Sequence, residues 1–200
     1  MTSRPSSIYK EDIPMTPNLD PFTVLMDFQS GRLDHVRDTV ERRLGDMAGM
    51  YQEKVEAPET LVYEVLQLTV PEENSEIQCS TTILQHGRVG EEYFMTKGHF
   101  HEVRDRSEVY IGLQGEGRLV LATGAGDYTV EPLRRGTVNY IPGGWAHRSV
   151  NVGDEPLVFF AAYVGDAGHD YGTIEEEGFP VLVLRGDNEP RTVDNPRYRS

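Results

Sequence analysis

Three histidines and one glutamate are the residues whose types and spacing suggest chemistry in this chain. His99 and His101 flank a single phenylalanine, Glu108 follows after a short spacer, and His147 lies in a later stretch rich in glycine and proline. Side chains at positions i and i+2 of a strand point to the same face, so both rings of the first pair can reach one ion. Imidazole nitrogens and a carboxylate oxygen suit a divalent transition metal. The four residues therefore predict a metal site supplied by several strands.

The spacing of Glu108 adds a condition on the backbone. Its position differs in parity from those of the first two histidines, so one regular strand cannot hold all three side chains on one face. We expect residues 102–106 to turn the chain before a new strand carries Glu108 inward, which leaves Glu102 and Asp105 in solvent. Tyr110 shares the parity of Glu108, so the same strand is expected to point its ring into the same cavity.

The elements that position these residues are short and separated by turns. Strand-like segments follow one another without intervening helices, and the chain contains 20 glycines and 12 prolines. Many short strands with turn signals between them favour the all-β class, as a jelly-roll or double-stranded β-helix barrel. The predicted strands are 61–70, 77–85, 93–97, 108–114, 117–122, 127–132, 138–141, 146–151, 157–164 and 181–184.

The N-terminal part differs from the rest in its pattern. Residues 1–22 contain several prolines and predict an irregular arm. Apolar residues then recur at spacings of three and four, which is typical of an amphipathic helix that covers one face of a sheet. We predict an arm and covering helix in residues 1–57 and a barrel in residues 58–200, packed as one compact domain. The apolar positions of the helix are Val36, Val40, Leu44, Met47 and Tyr51.

The charge balance and the cysteine content indicate which binding partners and which cellular compartment to expect. The 19 basic and 33 acidic side chains give a formal net charge of −14. Nucleic acids and anionic membranes both need a basic patch, so neither is an expected partner. Cys79 is the single cysteine, which excludes an intrachain disulfide and a thiolate metal cluster. No segment is typical of a signal peptide or a membrane span, so a cytoplasmic location is expected.

Two sequence motifs resemble those of a known family. Residues 136–151 have the pattern Gly-x5-Pro-x-Gly-x2-His-x3-Asn, which resembles the second cupin motif without a gap. The first cupin motif is also visible, but its spacer before Glu108 is longer than in the usual cupin. That spacer resembles the metal-dependent phosphoglucose isomerases of archaea and some bacteria. Further stretches resemble the same family, namely residues 96–101, 107–110, 164–174 and 193–196. The resemblance therefore extends over roughly residues 60–196.

The resemblance implies a function and a set of roles. It implies interconversion of glucose 6-phosphate and fructose 6-phosphate by a homodimer, in glycolysis or gluconeogenesis. The three histidines and Glu108 would hold a divalent metal, with iron(II) preferred and manganese, nickel, cobalt and zinc left open. For that reaction Glu108, as the nearest carboxylate, is the expected catalytic base, although a hydride shift competes with proton transfer. The residues implied to hold the sugar phosphate are Thr96, Gly98, Tyr110, Tyr163 and His169, with Tyr63 and Thr82 as weaker candidates. Tyr171 is expected to line the mouth of the cavity.

One residue departs from this branch of cupins, and two other functions stay open. Gly144 stands where the sugar-phosphate isomerases often carry a bulky aromatic residue, which predicts a roomier pocket. Three histidines and a glutamate also suit an Fe(II) cupin dioxygenase, which oxygen uptake would reveal. A non-catalytic cupin that binds a sugar is the third interpretation, although all four ligand positions are filled here.

Overall fold

The computed structural model describes residues 20–199, which form antiparallel sheets and two short helices. A 3₁₀ helix occupies Leu44–Met50, and an α-helix, α1, occupies Tyr171–Glu177. The strands are β1 (Asp38–Arg43), β2 (Leu61–Gln67), β3 (Ile77–Leu84), β4 (Arg88–Val89), β5 (Glu92–Tyr93), β6 (Glu108–Gln114), β7 (Glu116–Thr123), β8 (Tyr128–Arg134), β9 (Val138–Ile141), β10 (Trp145–Asn151), β11 (Leu157–Val164), β12 (Val181–Leu184) and β13 (Arg191–Asp194).

The described strands form three sheets. The largest has the strand order β1-β2-β3-β11-β6-β9, the second β10-β7-β8 and the third β13-β12-β5-β4. Side chains alternate along the strands, so that Glu108, Tyr110 and Gly112 of β6 are buried whereas Ile111 is exposed. The buried face of the largest sheet and the residues beside β10 enclose a cavity. The all-β prediction is confirmed.

Four of the strand predictions agree with the structure at both ends. The bounds of β6, β9, β11 and β12 match the predicted ranges. Residues 102–105 form bends and a turn, as the parity of Glu108 requires. The prediction of a strand at 93–97 is wrong, because β5 ends at Tyr93 and the next residues run beside β10 through isolated bridges.

The covering helix predicted from residues 36–51 is also wrong. Asp38–Arg43 form the edge strand β1, which pairs with β2 along its whole length, and the 3₁₀ helix follows directly. Backbone hydrogen bonds to a neighbouring strand therefore override the helical spacing of the apolar residues. Leu44 and Met47 still bury their side chains in the core, because residues three apart share a face of a 3₁₀ helix.

Residues 25–34 pack on the outer face of the largest sheet, and we name this segment the N-terminal cover. Thr81 Oγ1 donates to the carbonyl oxygen of Gly31 at 2.6 Å. Arg32 donates from Nη1 and Nη2 to the two carboxylate oxygens of Glu64 at 2.8 and 2.6 Å. Gly31 lies so close that a Cβ there would be 2.5 Å from the nearest side chain of the sheet. The buried apolar cluster in this layer consists of Leu66, Ile83 and Val158.

Part of the predicted N-terminal arm lies outside the residues that the structure describes. Of the arm predicted at residues 1–22, residues 1–19 lie outside the described part of the chain. The division at residue 57 stays a prediction. No helix within residues 20–199 is long and apolar enough to cross a bilayer.

No prediction covers the helix α1, which borders the cavity through its first residue, Tyr171. Asp170 caps the helix, because its carboxylate accepts a hydrogen bond from Thr173 N at 3.1 Å. Gly178 ends it with a φ of 78°. An acidic N-cap and a glycine C-cap are signals that the sequence does carry.

Candidate active site

The four predicted ligands converge beside the cavity. The ligand atoms of His99, His101, Glu108 and His147 all lie within 4.8 Å of one another. His99 and His147 face each other across two backbone hydrogen bonds, 3.3 Å from His99 N to His147 O and 3.1 Å in the reverse direction. Opposed residues of an antiparallel pair point their side chains to the same side, so the pairing holds the two rings together. Glu108 approaches from β6 of the largest sheet.

Hydrogen bonds behind two rings fix which nitrogen faces the cluster. Nδ1 of His101 lies 2.9 Å from the carbonyl oxygen of Arg106, and Nδ1 of His147 lies 3.4 Å from that of Trp145. A carbonyl oxygen only accepts, so Nδ1 of each ring carries the proton and donates. Nε2 of each ring therefore faces the cluster, 3.2 Å from Glu108 Oε2 in His101 and 3.0 Å in His147. Histidines that bind metals are oriented in this way.

The protonation states also fit a metal. His99 Nε2 is buried and has no hydrogen-bond partner among residues 20–199. Burial, followed by the neighbouring His147 and His169, lowers the pKa of His99 well below its usual range, so the ring is neutral. Burial alone would raise the pKa of Glu108, but contact with His101 and His147 outweighs it and lowers this pKa to about 2. Burial alone would lower the pKa of His101, but its hydrogen bond to Glu108 outweighs burial and raises this pKa. A metal binds neutral imidazoles and an ionised carboxylate, so a divalent ion held by this donor set would displace the proton between His101 and Glu108.

A cavity of about 270 Å³ adjoins the cluster, near the lower end of the range for small-molecule sites. Gln67 Nε2 donates to the Tyr163 hydroxyl at 3.2 Å. Burial lowers the pKa of His169, so its neutral ring offers an N–H donor rather than a charge. The wall is therefore rich in neutral hydrogen-bonding groups. All the predicted substrate residues line it, namely Thr96, Gly98, Tyr110, Tyr163 and His169, and so do Tyr63, Thr82 and Tyr171.

Thr96 and His99 both line the cavity although they are three residues apart. In a regular strand, such residues point to opposite faces. Backbone hydrogen bonds link Thr96 to Ser149 and His99 to His147, so two residues on one side face a single residue on the other. This arrangement is a β-bulge, and its extra residue turns both side chains toward the cavity.

Two arginines that the sequence does not predict also line the cavity wall, Arg37 and Arg42. Arg37 is held by Asp38 at 3.0 Å and Glu72 at 2.7 Å. Arg42 is half-buried, lies opposite Tyr63 in the β1–β2 pair and forms no salt bridge among residues 20–199. The helical interpretation puts Arg42 on a solvent-facing side, whereas a strand prediction would have placed it on one face with Val40.

Gly144 lies in the turn before β10 and has a φ of 83°. A Cβ added there would meet nothing within 4 Å. Gly144 is not among the residues that line the cavity, so its effect on the size of the substrate stays a prediction.

Comparison with known families identifies the group to which this site belongs. The family model described as Glucose-6-phosphate isomerase (GPI) matches residues 41–198. The chain belongs to the glucose-6-phosphate isomerase family. The matched range contains all four candidate ligands and all five predicted substrate residues. Membership in this family confirms the predicted isomerase class and disfavours the dioxygenase and the non-catalytic cupin.

Relatives within the glucose-6-phosphate isomerase family match nearly the whole chain. The glucose-6-phosphate isomerase of Pyrococcus horikoshii is 46% identical over 187 residues, which cover 90% of this chain and 98% of that protein. The enzyme of Pyrococcus furiosus is 45% identical over 186 residues, with coverage of 90% and 98%. The enzyme of the bacterium Sinorhizobium medicae is 33% identical over 194 residues, with coverage of 92% and 91%.

Proposed function

We propose that this chain interconverts glucose 6-phosphate and fructose 6-phosphate in the cavity beside its histidine cluster. The observation that carries the proposal is the meeting of four candidate metal ligands with a polar cavity of about 270 Å³. The family membership supports the reaction. Such an enzyme would act in glycolysis or gluconeogenesis.

We assign the metal to His99, His101, Glu108 and His147. A divalent ion held there supplies Lewis-acid stabilisation of the negative charge that develops on the substrate oxygens. Iron(II) is our preferred ion, and three nitrogens with one carboxylate oxygen suit it without selecting it. Manganese, nickel, cobalt and zinc are also compatible with this donor set.

Glu108 is the residue to which we assign proton transfer. It would take a proton from one substrate carbon and return it to the neighbouring carbon. Its pKa of about 2 makes it a weak base, so a hydride shift between the two carbons is the competing route. Isomerisation in deuterated water separates them, since proton transfer incorporates solvent deuterium at carbon 2 of glucose 6-phosphate and a hydride shift does not.

The phosphate end of the substrate is assigned to the neutral donors of the wall and to Arg42. Hydroxyls, the Gly98 amide and the neutral His169 ring can each donate to a phosphate oxygen. Arg42 adds a positive charge and a planar fork suited to phosphate. Local donors of this kind are needed, because the formal net charge of −14 repels an anion at long range.

The assembly and location are proposed as a cytoplasmic homodimer. Exposed apolar side chains on the outer face of β9, Val138 at 68% and Tyr140 at 64%, support an interface between two copies. The single cysteine, Cys79, is unpaired, which suits a reducing compartment.

The first test is conversion of fructose 6-phosphate to glucose 6-phosphate, measured with a coupled dehydrogenase. We expect a chelator to abolish the activity and re-addition of iron(II) or another divalent ion to restore it. Oxygen consumption is followed in parallel. A metal-loaded protein without isomerase activity, or full activity after the metal has been removed, would contradict the proposal.

A further inference from the structure

The β-bulge beside the cavity is centred on Arg148. The two residues that oppose it are Lys97 and Gly98, between the backbone pairs described above. A bulge leaves its extra peptide group outside the regular hydrogen-bond ladder. The carbonyl oxygen of Lys97 is bonded instead by the Arg148 side chain, from Nε at 3.1 Å and from Nη2 at 2.7 Å.

Arg148 is held firmly on the side away from the cavity. Its side chain is 4% exposed, and its guanidinium stacks on Phe179 with 4.4 Å to the ring centroid. It follows the ligand His147 in β10, so the alternation of the strand points it to the opposite face. Accordingly, His147 lines the cavity and Arg148 does not.

The direction of the Lys97 carbonyl determines the direction of the next amide. In a trans peptide, the C=O of one residue and the N–H of the following residue point in opposite directions within one plane. Because Arg148 draws the Lys97 carbonyl away from the cavity, the Gly98 N–H points toward it. Gly98 lines the cavity, and among the described residues its amide has no hydrogen-bond partner.

The position tolerates only glycine. Gly98 has a φ of 74°, and a Cβ there would lie 2.6 Å from Phe179 Cε2 and 3.0 Å from Arg148 Cβ. Arg148 and Phe179 therefore shape both the conformation of this peptide and its orientation. Lysine could not reproduce the contact, because it lacks the planar fork that bonds the carbonyl twice while stacking on a ring.

We propose that Arg148 is a positioning residue that aims the Gly98 N–H at an anionic oxygen of the bound sugar phosphate. The inference rests on the proposed function and adds a residue that never touches the substrate. A mispositioned amide loses one hydrogen bond to a charged oxygen, which corresponds to about a tenfold loss of affinity.

The test uses the zinc-loaded protein and compares Arg148→Lys with Arg118→Lys. Arg118 of β7 also bonds a carbonyl oxygen, that of Gly117, but lies outside the cavity. We expect Arg148→Lys to raise KM for fructose 6-phosphate and the dissociation constant of sorbitol 6-phosphate about tenfold. Zinc affinity and kcat should change less than about twofold, and Arg118→Lys should behave as wild type.

A second measurement begins with the wild-type protein alone. In the zinc-loaded wild type, inorganic phosphate should move the amide proton signal of Gly98, and Arg148→Lys should weaken that shift. The inference is overturned if other cavity amides respond to phosphate and Gly98 does not. It is also overturned if Arg148→Lys loses zinc affinity and kcat as much as substrate affinity, which indicates a merely structural role.

The outcomes distinguish this inference from the function on which it rests. Wild-type turnover combined with unchanged affinities in Arg148→Lys would refute the positioning role alone. A wild-type protein that binds sorbitol 6-phosphate through Gly98 without turning over fructose 6-phosphate would refute the isomerase and support the positioning role.

Discussion

Arg42→Gln removes a positive charge from the cavity wall while keeping hydrogen-bonding capacity at the same place. Charge-assisted hydrogen bonds contribute about 1.5–3 kcal/mol. Arg42 is half-buried, so solvent screens it and the lower end of this range applies. About 1.5 kcal/mol corresponds to roughly a tenfold fall in kcat/KM for fructose 6-phosphate. Most of the change should be in KM, because the residue holds the phosphate end and not the reacting carbons.

Arg43→Gln is the matched control. It removes the same charge one residue away, where Arg43 donates to the Glu59 carbonyl oxygen and pairs with Glu41 instead of lining the cavity. Steady-state kinetics at low and high salt should show a salt-dependent KM in wild type and Arg43→Gln, and a weaker dependence in Arg42→Gln. The reasoning is refuted if the two variants have the same KM, or if Arg42→Gln lowers kcat alone.

Three further predictions concern the metal, the bulge and the helix cap. Glu108→Gln removes the only anionic ligand among the four, so metal affinity should fall at least about tenfold and kcat about 10²-fold or more, as titration and turnover would show. Gly98→Ala should destabilise the protein by roughly 2–4 kcal/mol in urea unfolding, through its positive φ and its clash with Phe179. Gly124→Ala, with nothing within 4 Å of a Cβ, should cost far less. The pKa of Asp170 is lowered from 3.8 by hydrogen bonds from Thr173 and by Arg104. The ionised Asp170 carboxylate therefore stabilises the folded protein above its usual pKa of 3.8, and this stabilisation is lost as the pH falls through the lowered pKa. Asp170→Asn should therefore flatten the acid limb of the stability curve, and an unchanged limb would contradict the assignment.

The sequence is sufficient to predict that the four candidate ligands meet, because the signals within each segment are local. Period-two alternation in β6 places Glu108 and Tyr110 on one face, and this holds in the structure. The i, i+2 spacing of His99 and His101 likewise brings both rings to the cluster. Where one face of a strand is buried, register is strongly specified, so a short pattern can determine the position of a side chain.

The cavity wall is harder to predict because it depends on pairings between distant residues. The spacing of Val40 and Leu44 suits a helix, and only the partner strand β2 shows that residues 38–43 are extended. The bulge at Gly98 is likewise invisible, since it is defined by a mismatch with β10 and not by its own segment. Arg42 and Arg148 acquire their proposed roles from these pairings.

The wall of the cavity beneath the N-terminal cover is a single layer of strands. Thr82 and Phe159 face the cavity, whereas their neighbours Ile83 and Val158 face the cover. A single layer of strands therefore separates the cavity from the N-terminal cover. No second layer of side chains lies between them to absorb a movement of the strands. A change of packing volume behind the wall is transmitted directly to the groups in front of it. We therefore expect substitutions beneath the N-terminal cover, at positions that no substrate atom reaches, to alter substrate preference.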